Sequence, residues 1–183
     1  MTTLILLARH GETDWNRERR VQGHTDVPLN SAGRRQAQGL AEVLSGDAID
    51  SVYSSDLRRA SATARVVADP RGLEVVLLTD LRERNFGTWE GLTDDEARRR
   101  YPKETSDPRT WGDGETQAEM AARVLEAVRL IGSRHSGEVV LVVSHGGPLR
   151  AVLRHVGHEA GGALENCATV RIAVRDGVLE RVD

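Results

Sequence analysis

A chain of 183 residues, 39% hydrophobic and 29% charged, has the length of one domain and the composition of an ordinary globular protein. Its formal net charge of −3 leaves no electrostatic footprint for nucleic acid or a membrane surface, and a single cysteine, Cys167, excludes an intrachain disulfide and a cysteine-based metal cluster. The amino-terminal apolar run is too short for a membrane span and lacks the basic flank of a signal peptide, so a cytoplasmic protein, monomer or homodimer, is expected.

Leu4-Ile5-Leu6-Leu7 is apolar without a break, the pattern of a strand buried on both faces, and it runs into Arg9-His10-Gly11. Residues 12 to 29 are polar, contain Gly23 and Pro28, and read as a long loop above a sheet edge. Asn30 is a suitable N-cap for a helix with Ala37, Leu40, Ala41 and Leu44 on one side, ended by Gly46. Ile49 to Ser54 reads as a second strand. Asp56 is expected to cap a helix to about Ala68, stopped by Pro70, and Leu73 to Leu78 reads as a third strand. Residues 79 to 114 have no clear period apart from a short charged helix near Asp94 to Arg100, and read as a lid. Trp15, Trp89 and Trp111 are expected to pack beneath it.

Thr116 with Glu119 forms a capping box for a long helix to about Arg134, with Val124, Leu125, Val128 and Ile131 inward. Val139 to Ser144 is a second unbroken apolar strand and runs into His145-Gly146-Gly147-Pro148. Pro148 suits the first turn of the next helix, whose inner stripe is Leu149, Val152, Leu153 and Val156. Ala168 to Val174 and Val178 to Val182, joined through Asp176-Gly177, read as a terminal hairpin. Strands alternating with helices predict an α/β fold: a single three-layer domain over residues 1–183, with a mostly parallel central sheet, helices on both faces, and the lid between the third strand and the long capped helix.

Two buried strands thus each deliver a histidine followed by glycine to one sheet edge, and ligands of open parallel sheets bind beyond the carboxyl ends of the strands. Packed strand-end histidines are the plain alternative. A metal site is disfavoured because Arg9 beside His10 repels a cation and no neighbouring cluster adds ligands; no metal and no cofactor are expected. A phosphate group suits the set better. Guanidinium binds phosphate bidentately, and cationic neighbours keep an imidazole neutral and nucleophilic.

Arg9-His10-Gly11-Glu12-Thr13 resembles the Arg-His-Gly motif of the histidine phosphatase superfamily, whose members include the cofactor-dependent phosphoglycerate mutases. Three more segments follow in that family's order: Ser54-Ser55-Asp56-Leu57-Arg58-Arg59-Ala60, Leu81-Arg82-Glu83-Arg84-Asn85-Phe86-Gly87 and Ser144-His145-Gly146-Gly147. The resemblance implies His10 as the nucleophile that becomes phosphohistidine. It implies Arg9, Arg59 and His145 around the phosphoryl oxygens, and Glu83 as acid and base. Asn16, Gln22, Gly23 and Gly146 match positions near substrate.

The short interval from Glu83 to His145, and Phe86 where the mutases carry a tyrosine, resemble the compact phosphatase branch. That branch includes broad-specificity, alpha-ribazole, phosphoserine and glucosyl-phosphoglycerate phosphatases. The expected substrate is a small phosphorylated metabolite. The rival readings are a phosphoglycerate mutase and a non-catalytic module that binds a phospho-ligand. Arg98-Arg99-Arg100 is either a carboxylate site or a solvated face.

Only one of Arg58 and Arg59 can enter the site, because successive helical residues point about 100° apart. Arg58, Ser61 and Arg65 form a polar stripe expected to face solvent; Arg59 shares a side with Ala62, Thr63 and Val66 and is expected to turn inward.

Overall fold

A computed structural model describes residues 1–103, 112–158 and 164–182. Six strands, β1 (Thr3–Arg9), β2 (Ser51–Ser54), β3 (Val75–Leu77), β4 (Val139–Ser144), β5 (Thr169–Arg175) and β6 (Val178–Arg181), form one sheet in the order β3-β2-β4-β1-β5-β6. β3, β2, β4 and β1 run parallel, while β5 and β6 add an antiparallel edge. The two unbroken apolar strands are therefore the two central ones.

Their alternation builds both cores. Ile5, Leu7, Val140 and Val142 face one layer, α5 (Gln117–Arg134) and α6 (Gly146–His155). Leu6, Ala8, Leu141 and Val143 face the other, α2 (Ser31–Val43) and α3 (Arg58–Ala68). Each face needs apolar side chains at alternate positions, so two buried faces leave no polar ones. Register then sets the site: Arg9 pairs with Ser144, which puts His10 and His145 side by side one residue past the sheet.

The caps expected at Asn30 and Thr116 are present, with Asn30 Oδ1 accepting from Gly33 N at 2.8 Å and a full Thr116–Glu119 box. Asp176 and Gly177 both have positive φ, 51° and 78°, in the tight hairpin turn between β5 and β6.

Several elements differ from the sequence reading. Asp56 does not cap α3: the N-cap is Leu57, with no side-chain cap, and the Asp56 carboxylate instead takes a two-point bond from Arg82 at 2.5 and 2.7 Å. A charge-assisted bidentate pair outcompetes one cap bond. Ser61 is buried rather than solvent-facing, and the inward side of α3 is Arg59, Ala60, Thr63, Ala64, Val67 and Ala68, with Ala62 and Val66 only half-buried. The third strand is only three residues long and its outer part is exposed, as suits a sheet edge.

The 12–29 loop contains a short helix, α1 (Asp14–Arg17), capped by Thr13. The lid contains 3-10 turns at Thr79–Leu81 and Gly87–Trp89 and the charged helix α4 (Asp94–Arg100), capped by Thr93 with Glu96. Trp89 is buried and stacks on Tyr101 with 4.8 Å between ring centres, Trp15 is half-buried, and Trp111 lies outside the described residues.

Candidate active site

His10 is buried at the end of β1, and its backbone N–H continues the ladder to Ser144 O at 3.0 Å. Its Nδ1 lies 2.7 Å from its neighbour's carbonyl, Gly11 O. A carbonyl only accepts, so Nδ1 holds the proton and Nε2 carries the lone pair. Burial, then Arg59 and Arg9, hold the His10 pKa well below the ordinary histidine value. The ring is neutral at neutral pH.

His145 has the opposite tautomer. Arg59 Nε donates to its Nδ1 at 3.3 Å, so the proton sits on Nε2. Burial, Arg59, His10 and Arg9 keep this ring neutral too. The two imidazoles meet edge to face with 5.0 Å between centres. One presents a lone pair and the other an N–H.

Among the described residues, the buried side-chain polar atoms without a hydrogen-bond partner are Arg9 Nε and His145 Nε2. Both are donors. Buried donors are rarely left unsatisfied, and two of them among these residues are chemically suited to the oxygens of an anion.

Arg59 is fully buried, and burial pulls its pKa down to about 10, so it stays charged. Its Nη1 and Nη2 donate to Thr25 O at 2.8 Å and Gly23 O at 2.7 Å. With Nε on His145, three of its five N–H groups hold protein atoms and two make no hydrogen bond to the described residues. Arg58 points out to solvent and grips Asp26, with Nε 3.0 Å from Oδ2. Arg59 is thus the inward member of the pair.

Gly23 has φ +51°, and a Cβ there would meet Glu90 Oε1 at 2.0 Å. Glu90 clasps this loop, accepting from His24 N at 2.9 Å and Thr25 N at 2.8 Å. Gln22 Oε1 and Asn16 Oδ1 both lie 3.0 Å from Thr13 Oγ1, so these two side chains join the loop wall.

Glu83 belongs to no helix or strand. Its Oε2 accepts from Gly147 N, in the first turn of α6, at 3.0 Å, and its Oε1 accepts from Arg84 N at 2.8 Å. A Cβ at Gly147 would stand 2.1 Å from Glu83 Oε1; only glycine admits this approach. Beside Glu83 opens a cavity of about 490 Å³, walled also by Arg84, Phe86, Gly147, Arg150 and Arg154. Gly146 sits at the start of α6 next to Arg9 and Arg150. The Arg98–Arg100 run is exposed on α4 and does not line this cavity.

Sequence reasoning missed four contributors. Asn166 Nδ2 donates to His10 O at 2.9 Å, and nothing in its loop setting marks it. His24 Nε2 reaches Glu83 O at 2.8 Å. Arg123, on α5, donates to the carbonyls of Asp80, Arg82 and Glu83 at 2.8 to 2.9 Å. Arg150 was findable, since it lies four residues after Gly146 and therefore one turn along the same helix face. Cys167 is no competing nucleophile: burial pushes its thiol up to about 11.

A neutral lone-pair histidine, a donor histidine, two arginines and a carboxylate are thus gathered beyond the ends of the parallel strands, and the chain belongs to the histidine phosphatase superfamily (branch 1), whose family model matches residues 5–179. It is 47% identical to phosphoglycerate mutase-like protein 4 of Arabidopsis thaliana over 157 residues, 81% of this chain and 68% of that protein. It is 39% identical to a metal-independent phosphoserine phosphatase of Arabidopsis thaliana, over 95% of this chain and 77% of that protein. Among solved structures it superposes on Bacillus stearothermophilus YhfR with TM-score 0.91 at 33% identity, covering 98% of this chain and 95% of that one.

Proposed function

We propose that the protein is a metal-independent phosphatase that hydrolyses small phosphomonoesters through a phosphohistidine on His10. The observation that carries this reading is a neutral His10 whose Nδ1 is bound to Gly11 O, leaving the Nε2 lone pair, with the His145 ring 5.0 Å away and two unsatisfied buried donors in the same residue set, Arg9 Nε and His145 Nε2. The phosphoryl oxygens take those donors and the free N–H groups of Arg59, and charge developing in transfer is met by groups already in place. His10 Nε2 attacks phosphorus and the P–O bond to the leaving group breaks, while Glu83 gives that oxygen its proton. The alcohol departs. Glu83 then takes a proton from water, whose oxygen attacks phosphorus; the P–N bond breaks and inorganic phosphate leaves.

The same residues serve a mutase if the phosphoryl group returns to an alcohol instead of water. The phosphatase names among the relatives and the compact lid support hydrolysis. The test is phosphate release from a panel of small phosphomonoesters after exhaustive chelation, with acid quench to trap an acid-labile phosphoenzyme that His10→Ala cannot form. Activity restored only by a divalent cation sinks the mechanism. Interconversion of 3- and 2-phosphoglycerate faster than phosphate release, and dependent on 2,3-bisphosphoglycerate, makes the protein a mutase.

A further inference from the structure

The cavity beside Glu83 is cationic, and two of its three arginines are committed to the protein. Arg84 Nε donates to Glu115 O at 2.6 Å, and its guanidinium lies 5.2 Å over the Phe86 ring. With the Gln117 amide turned so that its oxygen faces Arg154, that oxygen accepts from Arg154 Nη1 at 3.1 Å and Nη2 at 2.6 Å. Arg150 differs. It is half-buried and makes no hydrogen bond or ion pair among the described residues.

Its direction can be located. A Cβ at Gly146 would lie 3.2 Å from Arg150 Nη1 and 3.7 Å from Arg9 Nε, so the two guanidinium groups converge on one point at the start of α6. Like charges held this close disfavour each other; Arg150, after burial, is among the causes that lower the pKa of Arg9. The next residue, Gly147, holds the Glu83 carboxylate through its N–H. In the proposed mechanism Arg9 Nε binds the phosphoryl group and Glu83 protonates the leaving oxygen. Arg150 lines the same cavity as Glu83 and Gly147, and in the proposed mechanism an alcohol that takes its proton from Glu83 departs into that cavity. A partner-free guanidinium there is a fork for a planar oxyanion.

We infer that Arg150 is a specificity-determining residue that receives a second oxyanion, a carboxylate or a further phosphate, carried on the leaving-group side of the substrate. This rests on the phosphatase reading and narrows it: the preferred substrates are phosphomonoesters of acidic alcohols. Phe86 and Met120 on the same wall accommodate a short carbon skeleton between the two charged ends.

Matched pairs test it. The pair 3-phosphoglycerate and glycerol 3-phosphate isolates a carboxylate; fructose 1,6-bisphosphate and fructose 6-phosphate isolate a second phosphate. The native enzyme should favour the more acidic member of one pair by about tenfold or more in kcat/KM, since a hydrogen bond to a charged group contributes on that order. The pair that shows the preference identifies the group. Arg150→Ala should erase the preference through KM, and Arg150→Lys should restore part of it.

A preference that survives Arg150→Ala overturns the inference. Equal loss on both members overturns it as well, because Arg150 would then hold the transferred phosphoryl group. Calorimetry without turnover separates the two levels of the argument. His10→Ala should bind the acidic ligand about tenfold more tightly than His10→Ala/Arg150→Ala does. If the native enzyme hydrolyses nothing while this difference stands, the phosphatase reading fails and the subsite remains. If hydrolysis proceeds while the difference is absent, the subsite alone fails.

Discussion

The two sides of the reaction centre are held in place by different physics. His10 and His145 stand directly on strand ends, and the backbone ladder around them continues through His10 N to Ser144 O at 3.0 Å, Ser55 N to Val143 O at 3.0 Å and Cys167 N to Arg9 O at 3.1 Å. Glu83 stands on a segment with no ladder. Side chains fasten it: Arg123 on three carbonyls and on Glu115, Arg82 on Asp56, His24 on the Glu83 carbonyl, and Ser144 Oγ on Leu81 O at 2.6 Å. The proposed nucleophile is thus positioned by strand register, which no single side chain controls. The proposed acid and base, Glu83, is positioned by side-chain contacts, each of which one substitution can remove.

That contrast is most exposed to failure at Arg59, which the proposed mechanism places on the phosphoryl side. Arg59→Ala should lower kcat/KM by about a thousandfold on every substrate, since it removes donors aimed at developing charge and frees His145 from its tautomer. Arg58→Ala loses one exposed ion pair and should stay within about threefold. Circular dichroism should accompany both kinetic measurements, because Arg59 also ties down the 23–25 loop. A crippling Arg58→Ala with a mild Arg59→Ala would rotate α3 away from the described geometry.

Glu83→Gln should cost alkyl phosphates about a hundredfold or more and p-nitrophenyl phosphate far less. An alkoxide needs a proton in the transition state, whereas nitrophenolate leaves nearly unaided. Equal losses would move Glu83 from chemistry to scaffolding.

Arg123→Ala should reproduce the same alkyl-over-aryl bias at lower amplitude, about tenfold, because it loosens the segment that aims Glu83 without touching His10. Lysine should rescue poorly, since one ammonium cannot span three carbonyls and the Glu115 carboxylate. A uniform loss on alkyl and aryl substrates would show that the two halves are not separable in the way described.

The smallest effect concerns acid stability. Burial, with Arg59 and Arg9, holds the folded-state pKa of His10 and His145 below the unfolded value of about 6.5. Between the two values the unfolded chain binds more protons. Stability is therefore complete above about pH 6.5 and declines as pH falls toward the folded values, by about 1.4 kcal/mol per pH unit for each histidine. Denaturant melts across pH 4.5 to 7.5 should give a shallower decline for His10→Ala than for the native chain. An unchanged slope would mean that His10 does not titrate on unfolding in that window. The acid limb of kcat/KM should likewise fall below pH 6.5.

Residue order alone carried the strand pair that bears the histidines, because an unbroken apolar run has only one comfortable place, the middle of a sheet covered on both faces. It also carried the inward choice of Arg59 over Arg58, since helical period separates neighbours whatever the rest of the chain does. Local capping was legible at Asn30 and Thr116, where the partners lie three residues away. Asp56 shows the limit of that reasoning: a carboxylate that suits a cap locally is taken by Arg82, twenty-six residues on, through two charge-assisted bonds.

The tautomers of His10 and His145, the clamp of Arg123 on the Glu83 segment, the support of Asn166 beneath His10 and the convergence of Arg150 with Arg9 depend on contacts between residues far apart in the chain. Such contacts leave no period and no spacing in the sequence. Only the packing of α5, α6 and the loops around the strand ends decides them, because a hydrogen bond is set by direction and distance in space, and neither is encoded in position along the chain.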